Sequence, residues 1–382
     1  MYCTHFRFPY TEVSMSHDNT VFVGLDVHKE SIVAACSVGF GEVTSLGNVG
    51  ILQRDIQKLC QRMQSKASHV VFVYEAGPCG YGLQRQLQRA GFTCHVCAPS
   101  LIPRKAGDRV KTDRRDAEKL VRALRAQELS FVHVPGERDE AFRDLARAWN
   151  GAKQDLRQAK QRLKSFLLVH GVTYTGNADW KDSHRRWLSR FSFPEGWSQM
   201  AFEEHRRSVE DRLAQCQRLE QLLRQEAPHW RLYPVIQALQ ALRGVQFTVA
   251  VGVIAEAGDL SRFHNPRQLM DWLGLVPSED STGARIRKGP ITKAGNGLAR
   301  KLLIEAAWSY RYSAKVSPII QRRHEGLPKE IIERAWEAQL RLCRRFRRLQ
   351  MKGKHRNTVV TAIARELAGF IWDIARKTPL PA

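Results

Sequence analysis

Thr20-Val21-Phe22-Val23-Gly24-Leu25-Asp26 is a β-branched and aromatic run that stops on an acid, and His69-Val70-Val71-Phe72-Val73-Tyr74-Glu75 repeats that pattern further along. Both predict strands; the second is nearly all apolar, which suits a strand covered on both faces. Between them come a turn at His28-Lys29-Glu30, a run over residues 31–38, and a third over 43–46 behind Gly39 and Gly41. A helical stretch covers 51–64, where Ile51, Ile56, Leu59 and Met63 recur at mixed three- to five-residue steps. Residues 81–90 predict a helix, 93–98 a strand, and 113–127 a strongly helical run.

Three strands, helix, strand, helix, strand, helix is the ribonuclease-H-like order, an α/β layer architecture. In that order the strands ending in Asp26 and Glu75 are neighbours and deliver both acids to one end of the sheet. Asp113 and Asp116, three apart on a helix, share a face. Singly, an Asp after a strand is often a turn residue, and Asp113 suits a helix N-cap. Together the four form a candidate set of hard oxygen donors, which select Mg²⁺ or Mn²⁺ rather than zinc. Two such ions can clamp the attacking and leaving oxygens of a phosphodiester. Arg104, Lys105, Arg109, Lys111, Arg114 and Arg115 surround the second pair of acids and would receive a phosphate backbone.

Composition agrees. The chain has 382 residues, with 61 Lys plus Arg against 38 Asp plus Glu, a net charge of +23 and a pI near 10.1. That length predicts two domains and a connection, and that charge a polyanionic partner. No apolar run approaches the roughly 20 residues that span a bilayer, so no membrane role is expected. Residues 1–19 lack the apolar centre of a secretory signal and read as a disordered leader, within which Met15 is a candidate start. Eight cysteines at irregular spacing fit a reducing cytoplasm. The one C-x-x-C pair, Cys94 and Cys97, sits in a strand, where residues three apart face opposite ways and make a poor zinc clip.

From Glu137 the pattern changes. Phe142, Leu145, Trp149, Leu156, Ala159, Leu163 and Phe166 recur at three- and four-residue steps, and Val209, Leu213, Cys216 and Leu223 mark a second helix. An aromatic insert, 171–197, separates them. The expectation is an antiparallel or oligomeric coiled coil, with replacement of Leu156 and Leu163 expected to lower the oligomeric mass. The domains expected are the leader, 1–19; an α/β domain, 20–130; the coiled-coil linker, 131–234; and a mainly α domain, 235–382, with a polar loop over 277–296 and no evident sheet.

Gly24-Leu25-Asp26-Val27-His28-Lys29, Tyr74-Glu75-Ala76-Gly77 and Lys111-Thr112-Asp113-Arg114-Arg115-Asp116-Ala117 resemble the insertion-sequence-110 family of transposases. So do Leu273-Gly274-Leu275-Val276-Pro277, Ser281-Thr282-Gly283 and Ile291-Thr292-Lys293-Ala294-Gly295-Asn296, whose pattern is closest to the insertion-sequence-1111 subgroup. The resemblance implies an N-terminal RuvC-like domain with an Asp-Glu-Asp-Asp set, a coiled-coil linker, a C-terminal domain with a nucleophilic serine, and guidance by a non-coding bridge RNA. Leu242-Arg243-Gly244-Val245-Gln246 departs from the family's usual Pro-Gly-Ile-Gly turn, and the insert is longer and more aromatic than the linker usually is.

On this resemblance Ser281 is the expected nucleophile. It is preferred to Thr282 because a primary hydroxyl reaches a crowded phosphorus more easily, and Ser278 is the reserve. A serine attack would store the phosphodiester bond energy as a phosphoseryl link. By composition alone, Ser281-Thr282-Gly283 is a plain turn. Arg285, Arg287, Lys288, Lys293 and Arg300 follow it, and Arg344, Arg345 and Arg348 lie in a run of eight cations without an acid; these are candidate nucleic-acid contacts. The expected protein is thus an RNA-guided DNA recombinase using Mg²⁺ or Mn²⁺. It would bind donor and target DNA and a guide RNA, as a dimer or tetramer, in the bacterial cytoplasm at the nucleoid. The alternatives are a RuvC-like endonuclease or junction resolvase with water as nucleophile, and a non-enzymatic RNA-packaging protein.

Overall fold

Alternation along the first strand sets the layers of the N-terminal unit. The structure, a computed structural model, describes residues 19–103, 112–177, 179–283 and 285–381, and divides into Met1–Val134 and Pro135–Ala382. The expected leader, all but residue 19, lies outside the described residues. Strands β1 (Thr20–Val27), β2 (Ile32–Val38) and β3 (Thr44–Asn48) form the meander; helix α1 (Gln53–Gln64), β4 (His69–Glu75), α2 (Gly82–Arg89), β5 (Thr93–Cys97) and α3 (Asp113–Arg125) complete the unit. The sheet order is β3-β2-β1-β4-β5, with β1 parallel to β4, β4 parallel to β5, and β2 antiparallel to both its neighbours.

Val21, Val23 and Leu25 pack with Ile56, Leu59, Met63 and Leu87 from α1 and α2, whereas Phe22, Val71 and Val73 pack with Ala117, Leu120 and Val121 of α3. Each such fully buried Val, Leu, Ile, Phe or Met side chain contributes about 1.5–3 kcal/mol. Cys94 belongs to the first cluster and Cys97 to the second, so the C-x-x-C pair is split between the two faces of the sheet. Helix α1 begins at Gln53 rather than at Ile51. Leu52 is extended, its N–H bonds the Asp55 carboxylate at 3.3 Å, and Ile51 and Leu52 stay exposed, which broke the regular spacing in the sequence.

In the second unit, α4 (Glu137–Val169) runs out, α5 (Asp182–Arg190) lies in the aromatic insert, and α6 (Gly196–Glu226) returns. Phe202, near the start of α6, shares a core with Leu163 and Leu167 at the end of α4, and Trp230 stacks on Phe142 at the other end, 4.2 Å between centroids. The two helices are therefore an antiparallel pair within one chain, and their apolar stripes find burial without a second copy. Trp180, Trp187, Phe191 and Phe193 fold onto the far end of that pair.

The remaining elements are α7 (Tyr233–Leu239), α8 (Phe247–Ala257), α9 (Pro266–Trp272), β6 (Pro277–Glu279), β7 (Lys288–Ile291), α10 (Gly297–Ala307), α11 (Pro318–His324), α12 (Lys329–Met351) and α13 (Arg356–Lys377). The expectation of no sheet here is corrected: β6 and β7 pair antiparallel. Almost every residue of that hairpin is exposed, so no apolar face imposes the two-residue period that would have marked it. No helix among the described residues is long and apolar enough to cross a membrane.

Candidate functional site

Leu25 pairs with Tyr74, so the next step of this parallel register places Asp26 beside Glu75 on adjacent strands. Both belong to the α3 side, because Phe22 packs there before Asp26 and Val71 and Val73 before Glu75. Gly24, between Phe22 and Asp26, lets the helix approach. A Cβ at this position would stand 2.4 Å from the Ala117 carbonyl oxygen. That close approach brings the first turn of α3 over the end of β1. The Thr112 hydroxyl accepts the Arg115 N–H at 3.3 Å and starts the helix there, and its positive end favours Asp113 and Asp116 in the first turn.

His28 Nε2 lies 3.3 Å from Asp26 Oδ2 and 3.7 Å from Asp113 Oδ1; among the described residues, Asp26, His28 and Asp113 are a group whose donor atoms all fall within 4.8 Å. Burial raises the Asp26 pKa above the usual carboxylate value; His28 opposes this, and the charges of Asp113 and Asp116 add to the rise. Such crowded negative charge is what a cation would relieve. Glu75 is half-buried, and its charge adds to the burial that pushes the Cys97 thiol up to about 12. His28 is the residue that sequence reasoning left out of the site: a lone histidine after a strand looks like part of the turn.

The surrounding cations divide. Arg109 and Lys111, with Arg104 and Lys105, lie outside the described residues. Arg114 donates to Glu118 at 3.0 Å, sharing that carboxylate with Arg122, and Arg115 is exposed.

Ser281 sits just past β6. Its hydroxyl donates to Glu279 Oε1 at 2.9 Å and accepts the Arg287 N–H at 3.3 Å. Thr282 and Arg285 exchange backbone hydrogen bonds at the tip, where Gly283 takes φ +57°. Ser278, the reserve candidate, instead donates across the hairpin to the Pro290 carbonyl at 3.1 Å. Arg285, Arg287, Lys288 and Lys293 are exposed. Arg300 is turned to structure, bonding the Leu273 carbonyl at 2.8 Å and the Ala294 carbonyl at 3.3 Å.

Two of the quoted motifs form the base of this hairpin. Gly274 and Gly295 both have positive φ, and a Cβ on Gly274 would stand 2.1 Å from the Ala294 carbonyl oxygen and one on Gly295 2.1 Å from the Trp272 carbonyl oxygen. Asn296 caps α10 by accepting the Ala299 N–H at 2.9 Å, and its amide donates to Glu256 at 2.6 Å. Arg147 of α4 donates twice to that carboxylate, at 2.6 and 2.8 Å. Burial works to raise the Glu256 pKa, but these donors hold it below the usual range. On α12, Arg344 and Arg348 are exposed, whereas Arg345 and Arg341 are ion-paired to Glu366.

Residues 23–171 match a transposase family whose domain carries the DEDD name, and residues 236–325 match the transposase IS116/IS110/IS902 family. The chain is 46% identical over 358 residues to the Sinorhizobium fredii protein y4qE, which carries a transposase name, covering 93% of this chain and 88% of that one. It is 30% identical over 343 residues to the transposase for insertion sequence element IS1533 of Leptospira borgpetersenii, covering 87% and 98%. A stretch of 71 residues is 41% identical to the transposase for insertion sequence element IS1111A of Coxiella burnetii, 19% and 20% of the two chains. Both segments and the lengthwise similarity agree: the chain belongs to the IS116/IS110/IS902 family of transposases, enzymes that act on DNA.

Proposed function

We propose that this transposase is an RNA-guided recombinase that cleaves and rejoins DNA through a phosphoserine at Ser281, assisted by Mg²⁺ or Mn²⁺ held at Asp26, Glu75, Asp113 and Asp116. The donor chemistry fits a divalent ion. Two ligands about 2.1 Å from one ion at right angles stand about 3 Å apart, close to the 3.3 and 3.7 Å separations around His28. His28 adds a nitrogen, which Mn²⁺ accepts more readily than Mg²⁺ does. When bound, the metal would supply charge neutralisation at the phosphate and the leaving oxygen. The chain's own part is to keep the acids converged under α3 and to bring phosphate in along cations: Arg109, Lys111, Arg114 and Arg115 on one unit, and Arg285, Arg287, Lys288, Lys293, Arg344 and Arg348 on the other. Arg300 and Arg345, turned to carbonyls and to Glu366, hold the frame for them.

The observation that carries serine over water as nucleophile is the Ser281 hydroxyl, held by two partners at the tip of an exposed cationic hairpin. In this reading residues 20–130 are the RuvC-like domain, 131–234 the linker and 235–382 the serine domain. A net charge of +23 suits a guide RNA as well as two DNA duplexes at the nucleoid, and joining two duplexes calls for a dimer or tetramer. Sequence choice would then rest on base pairing.

The test is mass spectrometry of the protein–DNA adduct trapped during excision of its element in a bacterial host, with sequencing of the RNA that co-purifies. A nucleotide on Ser281 and one enriched non-coding RNA are expected. Cleavage without any adduct would mean that water attacks, as in a junction resolvase. Chelation that leaves cleavage intact would remove the metal from the reaction.

A further inference from the structure

We propose that Glu279 is the general base that takes the proton from Ser281. This role rests on the reading of Ser281 as the nucleophile. A serine hydroxyl is a weak nucleophile until a base within about 2.6–3.2 Å removes its proton. Glu279 Oε1 stands 2.9 Å away and accepts that proton's hydrogen bond. The spacing explains why it is this acid: along an extended chain, residues two apart share a face, so Glu279 and Ser281 lie together while Asp280 turns away. Asp280 serves the hairpin through its backbone, donating to the Arg287 carbonyl at 2.9 Å.

Stitching of the hairpin does not need this contact. Ser278 already ties the two strands through the Pro290 carbonyl, an acceptor that cannot take a proton at neutral pH. Of these two serines it is Ser281 that points its hydroxyl at a carboxylate, and the Arg287 N–H on the same oxygen would stabilise the alkoxide character that develops during attack. Charge favours the transfer too. A phosphate approaching Arg285, Arg287 and Lys288 meets one repelling group at the hydroxyl, the Glu279 carboxylate, and protonation removes that repulsion.

The step balances. The Oγ–H bond of Ser281 breaks and its proton goes to Glu279; an Oγ–P bond forms; the bond from phosphorus to a deoxyribose oxygen breaks, and that oxygen keeps the electron pair and takes a proton from water. On rejoining, a strand hydroxyl attacks phosphorus and gives its proton to the hydroxide left by that water; the Oγ–P bond breaks, and Glu279 returns its proton to Oγ.

The test uses the full-length protein expressed with its native flanking DNA, scoring the Ser281–nucleotide peptide against time and pH. Glu279→Gln should slow adduct formation by about 10²- to 10⁴-fold at neutral pH. Glu279→Asp should restore part of the rate, and Asp280→Asn should match wild type. Thermal melting of Glu279→Gln should be unchanged, since the residue is exposed. A wild-type rate and pH profile in Glu279→Gln, with the adduct on Ser281, overturns the base role alone. A wild-type adduct on Thr282 or Ser278 overturns the serine assignment and this role with it.

Discussion

The acid cluster and the serine hairpin are built in opposite ways. The cluster rests on buried regular elements: β1 and β4 at the middle of the sheet, and a glycine that lets α3 settle on them. The hairpin is exposed along both strands, and its order comes from its base, where two positive-φ glycines, Arg300 and Asn296 lock together. A core can place a catalytic group by packing. An exposed loop has to be placed by hydrogen bonds at its root.

Removing the acids breaks the comparison most severely. Asp26→Ala, Glu75→Ala and the pair Asp113→Ala with Asp116→Ala should each lower recombination by about 10³-fold or more, with a cooperative melt retained. Recombination by a variant lacking all four would remove the acids from the chemistry.

Core positions come next. Leu163 is 1% exposed between α4 and α6, so Leu163→Ala should cost about 2–5 kcal/mol in denaturant titration. The antiparallel pairing sharpens the expectation for Leu156 and Leu163: Glu at Leu163 should unfold the arm first, and a fall in oligomeric mass without loss of helix would show that the stripe faces another copy. Gly24→Ala should cost about 1–3 kcal/mol through overpacking and reduce recombination by tilting α3. Asn296→Ala should cost about 1–3 kcal/mol, with faster amide exchange across β6 and β7 than in Gly24→Ala.

The smallest effect concerns Asp26 in the absence of metal. Its raised pKa means that the folded state holds this proton more tightly than the unfolded chain. Ionisation of Asp26 therefore opposes folding as pH rises through the folded value, and the penalty is gone below the unfolded one. Asp26→Asn should melt slightly higher than wild type in chelator at neutral pH, with the gap closing on acidification. A lower melting point at neutral pH would place Asp26 in a structural role.

Much of the first unit was legible because burial writes periods into sequence. The run from Thr20 to Asp26 alternates between two packed faces, and β4 is apolar on both. What escaped was what burial does not write. His28 is half exposed and joins Asp113 only through the fold, and the pairing of β6 with β7 left no apolar stripe. The stripes of α4 and α6 were visible, but a stripe names no partner; Phe202 against Leu163 does. Charge alone marks Arg300 and Arg345 as candidate phosphate contacts; the fold adds that Arg300 bonds two backbone carbonyls and Arg345 pairs with Glu366.

Arg147 and Asn296 both donate to the Glu256 carboxylate, which is 8% exposed. Glu256 is the buried member and Arg147 is half exposed, so losing either donor leaves a buried carboxylate short of a partner, whereas exchanging the whole set for apolar groups is often tolerated. Related elements are therefore expected to change these three positions together rather than one at a time, which a comparison of their sequences would check. Segments that lie far apart along the gene, the helical arm and the root of the hairpin, are in that sense one locus.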